Sequence, residues 1–236
     1  MTYFRLLLAL IAFFALAATQ AQELSEEELL EQLQASAESL QDASFVLTGR
    51  LYDAGGGAIE LEIEVQTIPG EELVRAYFIQ PDALADNFVI VDGRAVYNYL
   101  FLTNQVTILP IDDPDALGGL FPDVQADIEE QAAEFDFSLN LERLFQGWTM
   151  TIERYGETPL GNAYFLRFDN EEEGANIGYV LAQVLDEVWV PYRLDFILAD
   201  GTPLAELVIE AFVRDQGLAA SELRFIPPDA EVIDER

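Results

Sequence analysis

The sequence predicts a mainly β fold of the α+β class: a single wide antiparallel sheet that curls, with helices at its start and in its middle. Three observations point there. After a short helical pattern, the apolar period drops from 3.6 to two at Phe45 and stays near two for most of the chain. Asp92-Gly93 and Asp200-Gly201 are tight-turn signals between strand-like runs. No Pro- or Ser-rich linker divides the chain and no repeat recurs, so its length suits one domain.

Taken in order, the elements begin with a leader. Arg5 precedes an apolar run, Leu6 to Ala18, and Thr19-Gln20-Ala21 offers small residues for cleavage. The run is about 13 residues, and a spanning helix needs about 20. Residues 1–21 therefore read as a signal peptide and 22–236 as the domain. Ser25-Glu26-Glu27-Glu28 is a capping box, followed by Leu29, Leu30, Leu33, Ala37 and Leu40 at helical spacing. Ile59, Leu61, Ile63 and Val65 then alternate with Glu60, Glu62, Glu64 and Gln66, a strand with one dry and one acidic face. Gly55-Gly56-Gly57 precedes that strand and reads as a hairpin loop; a phosphate cradle needs a helix to follow.

Further strands are expected at 73–79, 87–91, 94–100 and 105–109. Across Asp92-Gly93 the expected pairs are Ile90 with Ala95 and Phe88 with Tyr97, which puts Phe88, Ile90, Tyr97 and Tyr99 on one face. Residues 110–147 form a helical interlude, with Pro110, Pro114, Pro122, a stripe of Val124, Ile128, Ala132 and Phe135, and Ser138 capping a second short helix. Strands resume at 148–154, 162–169, 177–185, 189–198, 204–214 and about 223–226. A twisted sheet of ten or more strands tends to curl, which leaves a concave face for the helices to cover.

Composition narrows the chemistry. The 236 residues include no Cys, His or Lys, and 44 acids face 11 Arg for a net charge of −33. Removing residues 1–21, which hold Arg5 and no acid, takes −33 to −34. Nucleophilic catalysis through Ser-His, Cys-His or Lys is excluded, as are His/Cys metal sites and disulfides. Such a surface repels nucleic acid and anionic membranes. Its dispersed acids fit adaptation to a saline medium. Carboxylate pairs occur by chance among so many acids, so a carboxylate-dependent hydrolase is remote. Asp112-Asp113-Pro114-Asp115 and Asn170-Glu171-Glu172-Glu173 cluster oxygens without the EF-hand spacing. No enzyme, metal or cofactor is expected. The richer signal is apolar. Strands supply Phe78, Phe88, Tyr97, Tyr99, Phe165, Phe168, Tyr192, Phe196 and Phe212, which either fill a core or line a hollow for a hydrophobic ligand.

Two stretches carry a resemblance. Asn87-Phe-Val-Ile-Val-Asp-Gly-Arg-Ala-Val-Tyr-Asn-Tyr-Leu100 followed by Gln105-Val-Thr-Ile-Leu109, and Arg224-Phe-Ile-Pro-Pro-Asp-Ala-Glu-Val-Ile-Asp234, resemble the periplasmic outer-membrane lipoprotein carriers (LolA-like). Pro69-Gly70 with Leu73-Val-Arg75-Ala-Tyr77 fits the preceding strand, and the order of elements matches over nearly all of 22–236. The resemblance implies an incomplete β-barrel closed by an α-helical lid around an apolar cavity for acyl chains. It implies an exported, periplasmic monomer that takes lipoprotein acyl chains or another lipid from an inner-membrane ABC-type release complex to an outer-membrane receptor. Ile63, Tyr77, Phe88, Ile90, Tyr97, Tyr99, Phe165, Leu194 and Phe196 are then the expected lining, with Leu117, Leu120 and Phe121 at the lid. Ile68 stands where the best-known carriers place the Arg that ties down the lid. An envelope lipid-sensing or regulatory module of the same fold is the alternative.

Overall fold

The computed structural model describes residues 24–52, 56–111, 113, 141–172 and 174–236. The leader, Leu117, Leu120, Phe121 and nearly all of the helical interlude lie outside these residues.

Helix α1 (Glu26–Ser39) opens the described chain. Its start is fixed as the capping box dictates. The Glu28 N–H donates to Ser25 Oγ (3.3 Å) and the Ser25 N–H to Glu28 Oε2 (2.9 Å), while Glu26, Glu27 and Glu28 face the positive end of the helix dipole. Strands β1 (Ala43–Tyr52), β2 (Ala58–Ile68), β3 (Leu73–Gln80), β4 (Phe88–Val91), β5 (Ala95–Leu100) and β6 (Gln105–Pro110) form one meander. After the one-turn helix α2 (Leu141–Leu144), a second meander runs through β7 (Thr149–Thr158), β8 (Gly161–Asp169), β9 (Ile177–Leu185), β10 (Val190–Leu198) and β11 (Pro203–Arg214). The chain ends with α3 (Ala220–Leu223) and β12 (Glu231–Asp234).

All twelve strands form one sheet, in the order β12-β6-β5-β4-β3-β2-β1-β11-β10-β9-β8-β7. It is not closed into a barrel: among the described residues, β12 and β7 are its two edges. The meanders join where β1 pairs with β11, from Ala43 opposite Arg214 to Leu51 opposite Ala205. The backbones come so close there that a Cβ on Gly49 would lie 2.1 Å from the Glu206 carbonyl oxygen. Every pairing is antiparallel except β12 on β6, where Val232 lies beside Val106.

Two details correct the sequence reading. The expected strand at 223–226 is the end of α3 and the turn after it; the closing strand comes later and runs parallel. The β4–β5 register also differs: Phe88 pairs with Tyr99 and Ile90 with Tyr97. The reason is the turn. Gly93, at φ 72°, and Arg94 form its centre, and the Asp92 carboxylate accepts from the Arg94 and Ala95 N–H groups. The shift is two residues, so the four side chains still share a face.

Alternation along each strand sorts the apolar residues into two clusters on opposite sides of the sheet. The larger lies on the side of α1, the inner face, and takes in Phe45, Leu61, Ile63, Val65, Phe78, Val89, Val96, Leu166, Val180 and Leu207. The smaller lies on the outer face of β3–β6 beneath the C-terminal segment.

Candidate functional site: the helix-covered face of the sheet

Leu29 (0% exposed) and Leu33 (6%) are the buried contacts of α1, one turn apart on its apolar stripe, and both enter the inner cluster. Among the described residues, few polar ties fix the helix. The Leu24 N–H donates to Tyr164 Oη (3.3 Å), the Ile152 N–H to Glu26 Oε1 (3.4 Å), Ser36 Oγ to the Val188 carbonyl (3.2 Å), and Arg214 Nη2 to Ser39 Oγ (3.0 Å). They place α1 on the β7–β11 half of the sheet.

Beneath it lies an aromatic layer. Phe145 stacks on Phe168 with ring centroids 4.4 Å apart and touches Trp148 at 5.3 Å. Tyr164 packs against Tyr155 at 4.7 Å and Trp189 at 6.0 Å. Trp189 has a φ of 54°, a left-handed conformation that costs a bulky residue about 1–2 kcal/mol, which its packing must offset. The Tyr155 hydroxyl donates to Asp186, which with partial burial pushes its pKa up to about 12.

The expected lining residues do not all meet here. Ile63, Leu194 and Phe196 belong to the inner cluster. Tyr77, Phe88, Ile90, Tyr97 and Tyr99 lie on the outer face, packed with Leu73, Val106 and Ile108 against Leu218, Leu223 and Ile226 of the C-terminal segment. They are covered by the chain itself and do not face Ile63 across a common space. Phe165 also points outward, with the Arg154 guanidinium 3.2 Å from its ring centroid, while Tyr164, Leu166 and Phe168 point in. The physical reason lies in β4, whose Phe-Val-Ile-Val run is buried on both sides. Periodicity assigns four such residues to two faces without saying which face is which. Sequence reasoning missed Trp148, Met150, Trp189 and Ile152, which pack at the inner cluster. Period-two spacing in β7 marks Met150 and Ile152, but Trp189 sits in a turn and leaves no such signal.

The outer segment is pinned by three polar side chains. The buried Asp42 carboxylate accepts from the Gln216, Gly217 and Leu218 N–H groups at 2.9–3.3 Å. Arg75 donates to the carbonyls of Leu223 (3.1 Å) and Phe225 (2.7 Å) and lies over the Phe88 ring at 4.0 Å. Burial lowers its pKa. Asn104 Nδ2 donates to the Asp229 carbonyl (3.0 Å). Ile68, expected at the carriers' Arg position, packs against the outer cluster, away from α1.

A cavity of about 430 Å³ is lined by Glu71, Glu72, Asp92, Gly93, Arg94 and Arg224. It is polar and sits at the β2–β3 and β4–β5 turns. Among the described residues, no three acids are grouped to hold a metal ion, and no helix is long and apolar enough to cross a membrane.

An uncharacterized conserved protein from Thermus thermophilus superposes on this geometry with a TM-score of 0.61 and 21% identity, over 89% of this chain and 99% of that one. MucB superposes at 0.51 with 11% identity, over 88% of this chain and 64% of its own. The fold is MucB-like. A LolA superfamily protein from Nitrosomonas europaea aligns over 86% of this chain and 98% of its own, with 11% identity and a TM-score of 0.41, which carries no weight. No family model and no curated protein matches the sequence. The likeness to the Thermus thermophilus protein and to MucB is one of fold, and the unclosed, mostly antiparallel sheet with helices is the α+β class the sequence predicts.

Proposed function

We propose that this protein is an exported, periplasmic, non-enzymatic carrier that holds a lipid acyl chain, free or on a lipoprotein, between α1 and the inner face of the sheet. The observation that supports it is how lightly α1 is held on that face. Apolar side chains run from β2 to β9 across the inner face, α2 and the residue after it add Leu141, Leu144 and Phe145, and α1 contributes two buried leucines and a few single hydrogen bonds. Burying a leucine is worth about 1.5–3 kcal/mol. An acyl chain gains about 0.8 kcal/mol per buried methylene. Roughly four to eight methylenes therefore match what the two leucines supply, so a long chain can displace the helix and be released when it returns. Ile63, Leu194, Phe196, Trp148, Met150 and Trp189 are the residues proposed to touch it. Delivery between an inner-membrane release complex and an outer-membrane receptor is part of the same reading.

Trp148 and Trp189 are the chain's two tryptophans, and both pack at this face. Titration with a polyene fatty acid that accepts tryptophan energy is expected to quench both and raise acceptor emission. Absence of transfer, together with no lipid in native mass spectra of the purified protein, sinks the carrier reading. The low exposure of the inner cluster favours one alternative, a regulatory module of the same fold whose core is simply filled. That module gives neither signal.

A further inference from the structure

Residues 95–111 carry no charged side chain, the longest such run after residue 22 in a chain with 44 acids and 11 Arg. The run is the β5–β6 hairpin, and its turn exposes three consecutive apolar residues: Leu100 (39%), Phe101 (52%) and Leu102 (92%). The turn is not loose. The Asn104 N–H closes it on the Phe101 carbonyl (3.1 Å), the Phe101 N–H donates to Asn87 Oδ1 (2.9 Å), and Tyr99 Oη donates to Asn104 Oδ1 (3.1 Å). The C-terminal segment buttresses it, since the Glu231 N–H donates to the Asn104 carbonyl (2.9 Å), yet leaves Leu102 in water. A large apolar side chain held rigidly in solvent loses free energy that burial would return, and its ordering cost is already met.

We propose that this turn is a wedge that docks the protein on an uncharged, zwitterionic lipid surface. One turn of three side chains offers far less than the roughly 800 Å² per partner of a stable protein interface. A bilayer receives a convex wedge without a preformed pocket. The flanking Thr103, Asn104 and Gln105 suit the headgroup layer, where uncharged polar groups keep hydrogen bonds. The rest of the molecule, at −33, repels anionic lipid, so the preference is for zwitterionic membranes, and salt narrows the difference. The inference does not need the inner face to hold lipid.

The chain has no cysteine, so Leu102→Cys accepts a single environment-sensitive fluorophore. Leu160, 61% exposed in the β7–β8 turn at the other end of the sheet, takes the same label as the control. With phosphatidylcholine vesicles the label at 102 is expected to shift to shorter wavelength and the label at 160 to stay aqueous. Phosphatidylglycerol vesicles at low salt are expected to need at least ten-fold more lipid for the same shift. No shift at 102, or an equal shift at both positions, overturns the proposal. So does a shift at 102 without vesicles that grows with protein concentration, which assigns the turn to a second copy. Leu102→Asp is expected to leave fatty-acid quenching of the tryptophans unchanged. A chain that inserts its turn but binds no fatty acid refutes the carrier and keeps the wedge, and the converse result does the opposite.

Discussion

Arg75 joins three parts of the molecule through one planar group. Its face covers Phe88, its edge serves two carbonyls of the C-terminal segment, and its stem rises from β3. Hydrogen bonds to a charged group are worth about 1.5–3 kcal/mol. Arg75→Ala is therefore expected to cost about 2–3 kcal/mol in urea unfolding and to speed amide exchange across 218–231. Arg75→Lys should recover only part, because an ammonium has no planar face to lie on the Phe88 ring while it serves the two carbonyls. Unchanged exchange in the alanine variant would show that apolar packing alone holds the segment. This residue also marks how far the sequence can be read. Its charge and strand position are plain in the primary structure. Its partners are main-chain oxygens some 150 positions away, which no local pattern reveals.

Among the elements, those whose local chemistry has one solution were legible. Ser25 and Glu28 specify the start of α1, and the Glu-alternating run of β2 specifies both a strand and its wet face. Elements with two equivalent solutions were not. In β4 both faces are apolar, and the side that looked inward is covered by Leu223 and Ile226, which are too sparse and irregularly spaced to announce a packed layer. The residue that limits the sheet is Gly49, where β1 meets β11. Its Cβ would collide with backbone, which cannot rotate away, so Gly49→Ala is expected to destabilise by about 1–3 kcal/mol. A melting temperature equal to the parent's would mean the two strands can separate at no cost. Gly70 has open space around it, and the same substitution there provides the control.

At the scale of the whole molecule, charge dominates. Seven ion pairs among the described residues are partly or well exposed, and over the whole sequence 44 acids outnumber 11 Arg. Mutual repulsion of the excess acids destabilises the compact state and is screened over about 8 Å at physiological ionic strength. The melting temperature is expected to rise steadily from low to molar sodium chloride. A flat profile would remove the case for adaptation to salt. The sign of this effect follows from composition alone, because it depends on the sum of charges rather than on their contacts.

The junction of β1 with β11 has a consequence for how the chain is made. The strand completed first, at residue 52, sits mid-sheet and finds one of its two neighbours only when residues 203–214 have been synthesised. Until then one flank of β1 is an open edge, and native contacts of such long sequence separation form slowly. The first meander alone is thus an aggregation hazard on a ribosome. A chain threaded unfolded through a translocation channel, and let go only at its end, avoids that interval.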